Sequence, residues 1–298
     1  TSPPVCRVGT LCGHPCGASG PSMLWLGGRS RSATQRLERG LKTTSRRGLR
    51  LNLRLKKLFG RRGKTVFISA LPKSGSTFLV KVLEQVTGYQ TFFLGYHQLN
   101  EQDLYLPNLI DAWSMDVISH QHTRPSAPNL ALMEQFAIRP VILTRNAYDA
   151  TVSLTDHLER ESADTPLLNA PGDFMLRERA ARLDMVIDLA LPWYIRFVAD
   201  WAGAKQAKDN CLWLRYEDLI EDGAATVGRV LAFHGIAAEA AVIERALLQA
   251  RGEGSRLNKG VAGRGTDGLS PAQKIRINDL TRHYPGTDFT CIGLAGAN

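Results

Sequence analysis

The chain alternates between short apolar runs and longer segments in which apolar residues recur with helical spacing. The short runs are rich in β-branched residues and predict strands near residues 65–70, 115–120, 140–144 and 211–216. The longer segments predict helices near residues 77–87, 147–161, 177–207, 224–234, 238–250 and 271–283. Strands that alternate with helices are typical of right-handed crossovers and a parallel sheet. The pattern therefore predicts an α/β domain with a central parallel sheet flanked by helices.

Charge divides the chain into two parts near residue 64. The whole chain has a net charge of +9, but residues 1–64 hold 15 Lys or Arg and one acidic residue, Glu38. The remaining residues carry 22 basic and 27 acidic side chains, a net charge of −5. The first part is rich in Gly, Ser, Pro and Arg and has few large apolar residues before Leu49, which is typical of disorder. We therefore predict a basic, disordered extension over residues 1–63 and a folded domain over residues 64–298.

The extension has several interpretations. Its Arg/Ser-rich, acid-poor composition fits an organelle transit peptide, a polybasic arm for membranes or nucleic acid, or sequence upstream of a true start at Met23. Residues 49–62 follow a basic amphipathic pattern, which predicts a solvated lead-in helix or linker, or a helix on a membrane surface. The acidic balance of the domain gives no reason to expect a nucleic-acid partner. We expect a cytoplasmic protein, with organelle targeting through the extension as the alternative.

No segment is apolar over enough residues to predict a membrane span. The most hydrophobic long stretch, residues 185–202, is interrupted by Asp188, Pro192, Arg196 and Asp200, whereas a spanning helix needs about 20 mostly apolar residues. With 44% hydrophobic and 22% charged residues over 298 positions, the composition predicts a soluble globular protein with a sizeable core.

The first predicted strand leads into a candidate anion site, in the stretch TVFISALPKSGSTFL. The strand is followed by a Pro/Gly/Ser turn and then by a helix start, which presents unpaired N–H groups to an anion. Lys73 adds a positive charge, and Gly75 allows the backbone to approach a ligand closely. The hydroxyls of Ser74, Ser76 and Thr77 add donors. The lysine precedes the glycine, so the stretch does not match the Walker A pattern, but it still predicts a site for a phosphorylated nucleotide.

The strand near residues 140–144 leads into a second candidate anion site. Arg145 follows it at its carboxyl end, where open α/β sheets bind ligands. Arginine suits a phosphate because its guanidinium makes two parallel charge-assisted hydrogen bonds. Either Asn146 or Asp149 could cap the helix that follows. Ser153 lies under two turns along that helix, so it could face the same anion as Arg145.

Both stretches resemble motifs of the sulfotransferases that use 3′-phosphoadenosine 5′-phosphosulfate (PAPS). The loop of that family is roughly P-K-S-G-T-T-W, and here Ser76 replaces the first threonine and Phe78 the tryptophan. The 3′-phosphate motif of the family, R-N-x-x-D-x-x-x-S, is matched from Arg145 to Ser153. The resemblance implies a single three-layer, P-loop-like α/β domain, PAPS as the cofactor and adenosine 3′,5′-bisphosphate (PAP) as its product.

The resemblance also implies a role for each matched residue. The 5′-phosphosulfate would be held by Lys73, Ser74, Gly75, Ser76 and Thr77. Lys73 would in addition stabilise the departing phosphate oxygen. The side chains of Arg145 and Ser153 would bind the 3′-phosphate, which distinguishes PAPS from ATP.

Two later stretches continue the resemblance in order. CLWLRYEDL resembles the Y-E-D-L element of the family, whose tyrosine packs beside adenine, a role that maps to Tyr216. RLNKGVAG resembles the loop R-K-G-x-x-G that closes over the nucleotide, and it matches at Lys259, Gly260 and Gly263. Asn258 stands where an arginine is usual. Taken alone, the first stretch is an ordinary strand end and the second a Gly-rich surface loop.

Sulfuryl transfer to a hydroxyl or an amine needs a base, and the stretch ISHQHTRP holds two histidines at the end of a predicted strand. A neutral imidazole suits proton transfer near pH 7. The family carries K-T-H here, so the resemblance implies His122 as the base and places His120 where the lysine is usual. The alternation of a strand directs both side chains to one face. No cluster with metal-ligand spacing accompanies them, so no metal is expected.

The sequence therefore predicts a PAPS-dependent sulfotransferase that acts on a small-molecule or glycan acceptor. One alternative is a nucleotide kinase of the same fold, which would need a Walker lysine and a magnesium ligand. Another is a non-catalytic protein that binds a nucleotide or a sulfated ligand. The acceptor pocket is expected from the loops around residues 89–107 and 162–173, but the acceptor, the oligomeric state and the role of His120 stay open.

Overall fold

The structure is a computed structural model, and it describes residues 46–59, 61–97, 102–160, 164–165, 168–204, 210–252 and 263–295. Its strands, in chain order, are β1 (Thr65–Ala70), β2 (Gln90–Thr91), β3 (Val117–Gln121), β4 (Pro140–Thr144), β5 (Asp164–Thr165), β6 (Leu168–Asn169) and β7 (Leu212–Arg215). Five of them form a parallel sheet in the order β2-β3-β1-β4-β7, and β5 and β6 form a separate antiparallel hairpin. The predicted α/β class with a central parallel sheet is confirmed.

The helices account for most of the remaining described chain. They are α1 (Arg46–Phe59), α2 (Ser76–Thr87), α3 (Leu106–Asp111), α4 (Ala127–Gln135), α5 (Ala147–Arg160), α6 (Arg179–Leu189), α7 (Leu191–Gly203), α8 (Tyr216–Glu221), α9 (Gly223–Phe233), α10 (Ala240–Gly252), α11 (Arg264–Gly268) and α12 (Pro271–Asp279). Single 3-10 turns cover Ala112–Ser114, Phe174–Leu176, Leu280–His283 and Thr290–Ile292.

The central strand β1 shows why the fold has three layers. Val66, Ile68 and Ala70 point to one side of the sheet and pack in a core with α2, α9 and α10. Phe67 points to the other side, into a core formed mainly by α5, α6 and α7. Because successive side chains of a strand alternate between faces, a strand covered on both sides must be apolar at nearly every position. This explains why β1 is apolar from Val66 to Ile68 and again at Ala70; Ser69 between them is fully buried and donates from its hydroxyl to the carbonyl of Thr123 at 2.5 Å.

Two sequence expectations need correction. The helix predicted over residues 177–207 is two helices, α6 and α7, which separate at Ala190, and Pro192 lies in the first turn of α7. A proline is tolerated there because the first turn of a helix has unpaired N–H groups in any case. The disorder predicted for residues 1–63 does not extend through α1, whose Leu53 is buried in the core of the domain. Residues 1–45 lie outside the described residues.

Within the described ranges, no helix has both the length and the apolar character that are needed to cross a bilayer.

Candidate active site

The loop between β1 and α2 bends through two residues with left-handed backbone. Lys73 has a φ of 62° and Gly75 a φ of 83°. Glycine adopts this conformation at little cost, whereas a lysine there is unusual and needs support from its surroundings. A Cβ on Gly75 would also lie 2.7 Å from Cδ2 of Tyr216, so both the backbone and the neighbouring ring require glycine.

Two long-range hydrogen bonds hold the carbonyls of this loop. Arg145, which follows β4, donates from Nη1 to the carbonyl of Lys73 at 2.8 Å. The hydroxyl of Tyr194, on α7, donates to the carbonyl of Pro72 at 3.0 Å, and its burial raises the pKa of the phenol. Tyr194 was not predicted, because a tyrosine within an apolar helix pattern gives no sign in the sequence of a contact with a loop 122 residues away.

Ser74 faces inward rather than toward the mouth of the loop. Its amide and its hydroxyl both donate to the carbonyl of Leu71, at 3.2 and 2.5 Å, and the side chain is fully buried. Ser74 therefore stabilises the shape of the loop through Leu71, and its predicted contact with an anion stays a prediction. Ser76 and Thr77 lie in the first turn of α2, where amides lack intrahelical partners and where no acidic residue offsets the positive end of the helix dipole.

Arg145 lies under the loop and is nearly inaccessible, at 5% exposure. Its guanidinium carbon is 4.1 Å from the centre of the Tyr216 ring, which is itself 2% exposed. Among the described residues its Nε finds no hydrogen-bond partner. A buried guanidinium N–H without a partner is costly, so the Nε of Arg145 is a candidate donor for an acceptor other than the described residues. Ser153 is also buried, on α5, the helix that follows Arg145.

The start of α5 is stabilised by Asn146 and not by Asp149. The Asn146 side-chain oxygen accepts hydrogen bonds from the amides of Tyr148 and Asp149, at 3.0 and 3.2 Å, which is the capping role. The Asp149 carboxylate instead accepts from the amides of Gly263 and Gly265, at 2.7 and 2.6 Å. Asp149 is thus bonded to the chain at the end of the predicted nucleotide-covering loop. Residues 253–262, which include Lys259, Gly260 and Asn258, lie outside the described residues.

His122 directly follows β3 and is held from both its ring and its backbone. Its Nδ1 donates to the carbonyl of Ala70 at 2.8 Å, and its amide donates to Oε1 of Gln102 at 2.7 Å. The pKa of His122 is lowered to about 4, mainly by burial; the Ala70 bond raises it, and the nearby His120 and Lys73 lower it by smaller amounts. With Nδ1 as the donor, the neutral ring keeps its lone pair on Nε2, the form that accepts a proton.

His120 is a less defined member of the site. Burial lowers its pKa, while the charge of Glu84 acts in the opposite direction. Its Nδ1 is buried and has no hydrogen-bond partner among the described residues.

The predicted residues meet at one edge of the sheet. The loop of Lys73 follows β1, His122 follows β3, Arg145 follows β4 and Tyr216 follows β7, all at carboxyl ends of parallel strands. This is the edge at which open α/β sheets bind ligands. In the described part of the chain, no group of three His, Cys, Asp or Glu could hold a metal ion.

Comparisons with known proteins agree with this architecture. The sulfotransferase domain family matches residues 64–256. The crystal structure of mouse sulfotransferase SULT7A1 complexed with PAP has a TM-score of 0.58 at 17% identity, with 80% of this chain and 90% of that chain covered. The crystal structure of retinol dehydratase in complex with androsterone and PAP has a TM-score of 0.53 at 16% identity, with 82% and 87% covered. No curated protein sequence gave a significant match.

Proposed function

Because the chain belongs to the sulfotransferase domain family, we propose that it transfers the sulfuryl group of PAPS to a hydroxyl or an amine of an acceptor. The observation that carries the proposal is the shared location of an anion-binding loop, a buried arginine and a neutral histidine at one sheet edge. His122 is bonded to the carbonyl of Ala70 at 2.8 Å, three residues before Lys73, so the candidate base and the lysine of the anion loop are near each other. The neighbours whose crystal structures contain PAP support PAPS as the donor.

The donor would bind along the loop and α5. The amides of Gly75, Ser76 and Thr77 would face the 5′-phosphosulfate, because a helix N-terminus without acidic residues attracts an anion. Arg145 would bind the 3′-phosphate through its unpaired Nε, together with Ser153 and, from the covering loop, Lys259 and Gly260. Tyr216 would lie beside the adenine.

The residues that act on the reacting atoms would be His122 and Lys73. When bound, PAPS supplies a sulfuryl group whose bond to the 5′-phosphate oxygen breaks as the acceptor oxygen or nitrogen attacks sulfur. His122 Nε2 would take the proton of the acceptor, since Nδ1 is fixed as a donor by the Ala70 carbonyl. Lys73 would stabilise the negative charge on the departing oxygen. A pKa near 4 keeps His122 neutral at pH 7, which is the protonation state of a base.

The acceptor would be a small molecule or a glycan that enters beside His122. Gln102 accepts from the amide of His122 and, through its carbonyl, from Gln121 and Thr123. Gln102 lies within residues 89–107, where an acceptor loop is predicted, and it therefore connects that part of the chain to the proposed base.

The first experiment is calorimetric titration of the full chain with PAP and with ADP. We expect tight binding of PAP and weak binding of ADP, and loss of PAP binding by at least about a hundredfold in Arg145→Ala. Arg139→Ala is a matched control, since Arg139 also stacks on a ring, 3.9 Å from the centre of Phe233, and donates to a carbonyl, but at the opposite end of β4. Preference for ADP would favour the kinase hypothesis, and binding of neither would contradict a nucleotide site.

The second experiment separates an enzyme from a binding protein. His122→Ala should reduce turnover with a range of acceptors by about 10² to 10⁴ while PAP affinity changes little. His234→Ala is the control: burial also lowers the pKa of His234 to about 4, but Arg139 and Lys64 surround it at the other end of the sheet. Full activity of His122→Ala would refute the assignment of the base.

A further inference from the structure

Helix α1 presents leucines on two opposite faces, and only one face is covered. Leu53 is buried in the core, and Leu49 packs against the same core. Leu51, Leu55 and Leu58, spaced by four and three residues, form one stripe and are 59%, 46% and 73% exposed. We call these three residues the outer leucine face. Single exposed leucines are ordinary, but three in register on one helix form an apolar surface.

The helix and the segment that follows it are attached to the domain, so the outer face cannot simply turn inward. Lys56 donates from Nζ to the carbonyl of Ile110 at 2.7 Å. Just beyond the helix, Arg62 donates from Nη2 to the carbonyls of Phe136 and Ala137, at 2.6 and 3.0 Å. With Leu53 in the core, these bonds set the rotation of α1 about its axis. The exposure of the outer leucine face is therefore a property of the docked helix.

The sequence around this face is strongly basic. Helix α1 contains six Lys or Arg and no acidic residue. Arg54 is exposed on the helix, and the side chain of Arg61, just after it, is 81% exposed and pairs at the surface with Asp116 at 3.4 Å. Residues 1–64 together hold 15 basic residues and one acidic residue. The outer leucine face and the basic residues near it are together complementary to a surface with negative charges outside and an apolar layer below them.

We propose that the outer leucine face docks on an anionic lipid membrane. Helix α1 lies in the interface, with Leu51, Leu55 and Leu58 among the acyl chains and the exposed Arg54 and Arg61 at the headgroups. The two contributions act together: cations attract the protein to the anionic surface, and the leucines provide the apolar contact. The proposal does not depend on the reaction that the sheet edge catalyses.

The test is co-sedimentation of the full chain with vesicles. We compare phosphatidylcholine alone with phosphatidylcholine that contains about 30 mol% phosphatidylserine. The test variant is Leu51→Gln/Leu55→Gln/Leu58→Gln, because glutamine keeps helix propensity while it removes apolar surface. The matched control replaces three other exposed residues by glutamine, Leu189, Leu248 and Ile275, which are 51%, 71% and 61% exposed. Far-UV circular dichroism and urea midpoints establish that both variants are folded.

We expect binding to the anionic vesicles only, weakened at least about tenfold in the α1 variant and unchanged in the control. Raising the salt from about 0.15 M to about 0.5 M should release the protein, because screening weakens the attraction of the cations. Equal binding of the α1 variant would overturn the proposal and leave the basic charges alone responsible. Absence of binding would also overturn it; a dimer that the α1 variant converts to monomer would then identify the face as a self-interface.

Discussion

Replacing Gly75 by alanine should disturb the anion loop and the arginine behind it together. Gly75 has a φ of 83°, and a Cβ there would lie 2.7 Å from Cδ2 and 3.0 Å from Cε2 of Tyr216. The ring is buried, and Arg145 is stacked on it with its guanidinium carbon 4.1 Å from the ring centre. The ring therefore cannot move away from a methyl group without a shift of Arg145.

Two separate costs add in this variant. An L-residue in the left-handed region costs about 1–2 kcal/mol. Forcing an extra carbon against a packed ring costs about 1–3 kcal/mol more. We expect Gly75→Ala to lower the free energy of unfolding by about 2–5 kcal/mol, and to weaken PAP binding at least about tenfold because the displaced Arg145 is the proposed 3′-phosphate ligand.

Gly88→Ala isolates the backbone cost. Gly88 ends the same helix, α2, with a φ of 68°, and a Cβ there would meet nothing within 4 Å. Urea unfolding gives the stability of both variants, and calorimetry gives their PAP affinity. Equal losses of stability in the two variants, with wild-type PAP affinity in Gly75→Ala, would refute the role assigned to the contact with Tyr216.

Three further predictions follow from buried groups. Asp149→Asn replaces one of the two carboxylate oxygens that accept hydrogen bonds from the amides of Gly263 and Gly265. We expect it to lower PAP affinity about tenfold, as measured by calorimetry. The control Asp156→Asn, on the same helix, should leave PAP affinity unchanged. The lowered pKa values of His122 and His234 mean that unfolding takes up protons between about pH 6.5 and 4, so urea midpoints should fall as the pH falls through that window, and His234→Gln should flatten the loss. Tyr194→Phe should cost about 1 kcal/mol in urea unfolding, since it leaves a loop carbonyl unpaired.

The sheet was the part of the fold most accessible from sequence. β1 and β4 have the predicted bounds, residues 65–70 and 140–144, because strands covered on both faces carry continuous apolar runs. The division of α6 from α7 was not predictable, because the apolar spacing continues across Ala190 and a proline in a first turn leaves that spacing intact. The packing of α1 against the domain was not predicted, because the basic composition of this segment indicates a solvated helix or linker and only Leu53 is fully buried in the core.

The candidate site was predictable where its chemistry is local. A strand, a glycine turn and a helix start are consecutive in sequence, so Lys73, Gly75 and Thr77 could be proposed from their spacing and from the family resemblance. Arg145 could be proposed in the same way at the end of β4.

The contacts that decide how these residues act are not local. The hydroxyl of Ser74 donates to the carbonyl of Leu71, and Asp149 accepts from amides more than a hundred residues away. The hydroxyl of Tyr194, on α7, donates to the carbonyl of Pro72 in the loop after β1. Such contacts depend on which side chains the packed layers bring within hydrogen-bond distance, and periodicity carries no information about that distance. The sequence by itself predicted the strands β1, β3, β4 and β7, the anion loop and the base candidate, but not the two-residue strands β2, β5 and β6. Only the tertiary structure decided that His122 presents Nε2, that Arg145 lies beneath the loop, and that three leucines of α1 face outward.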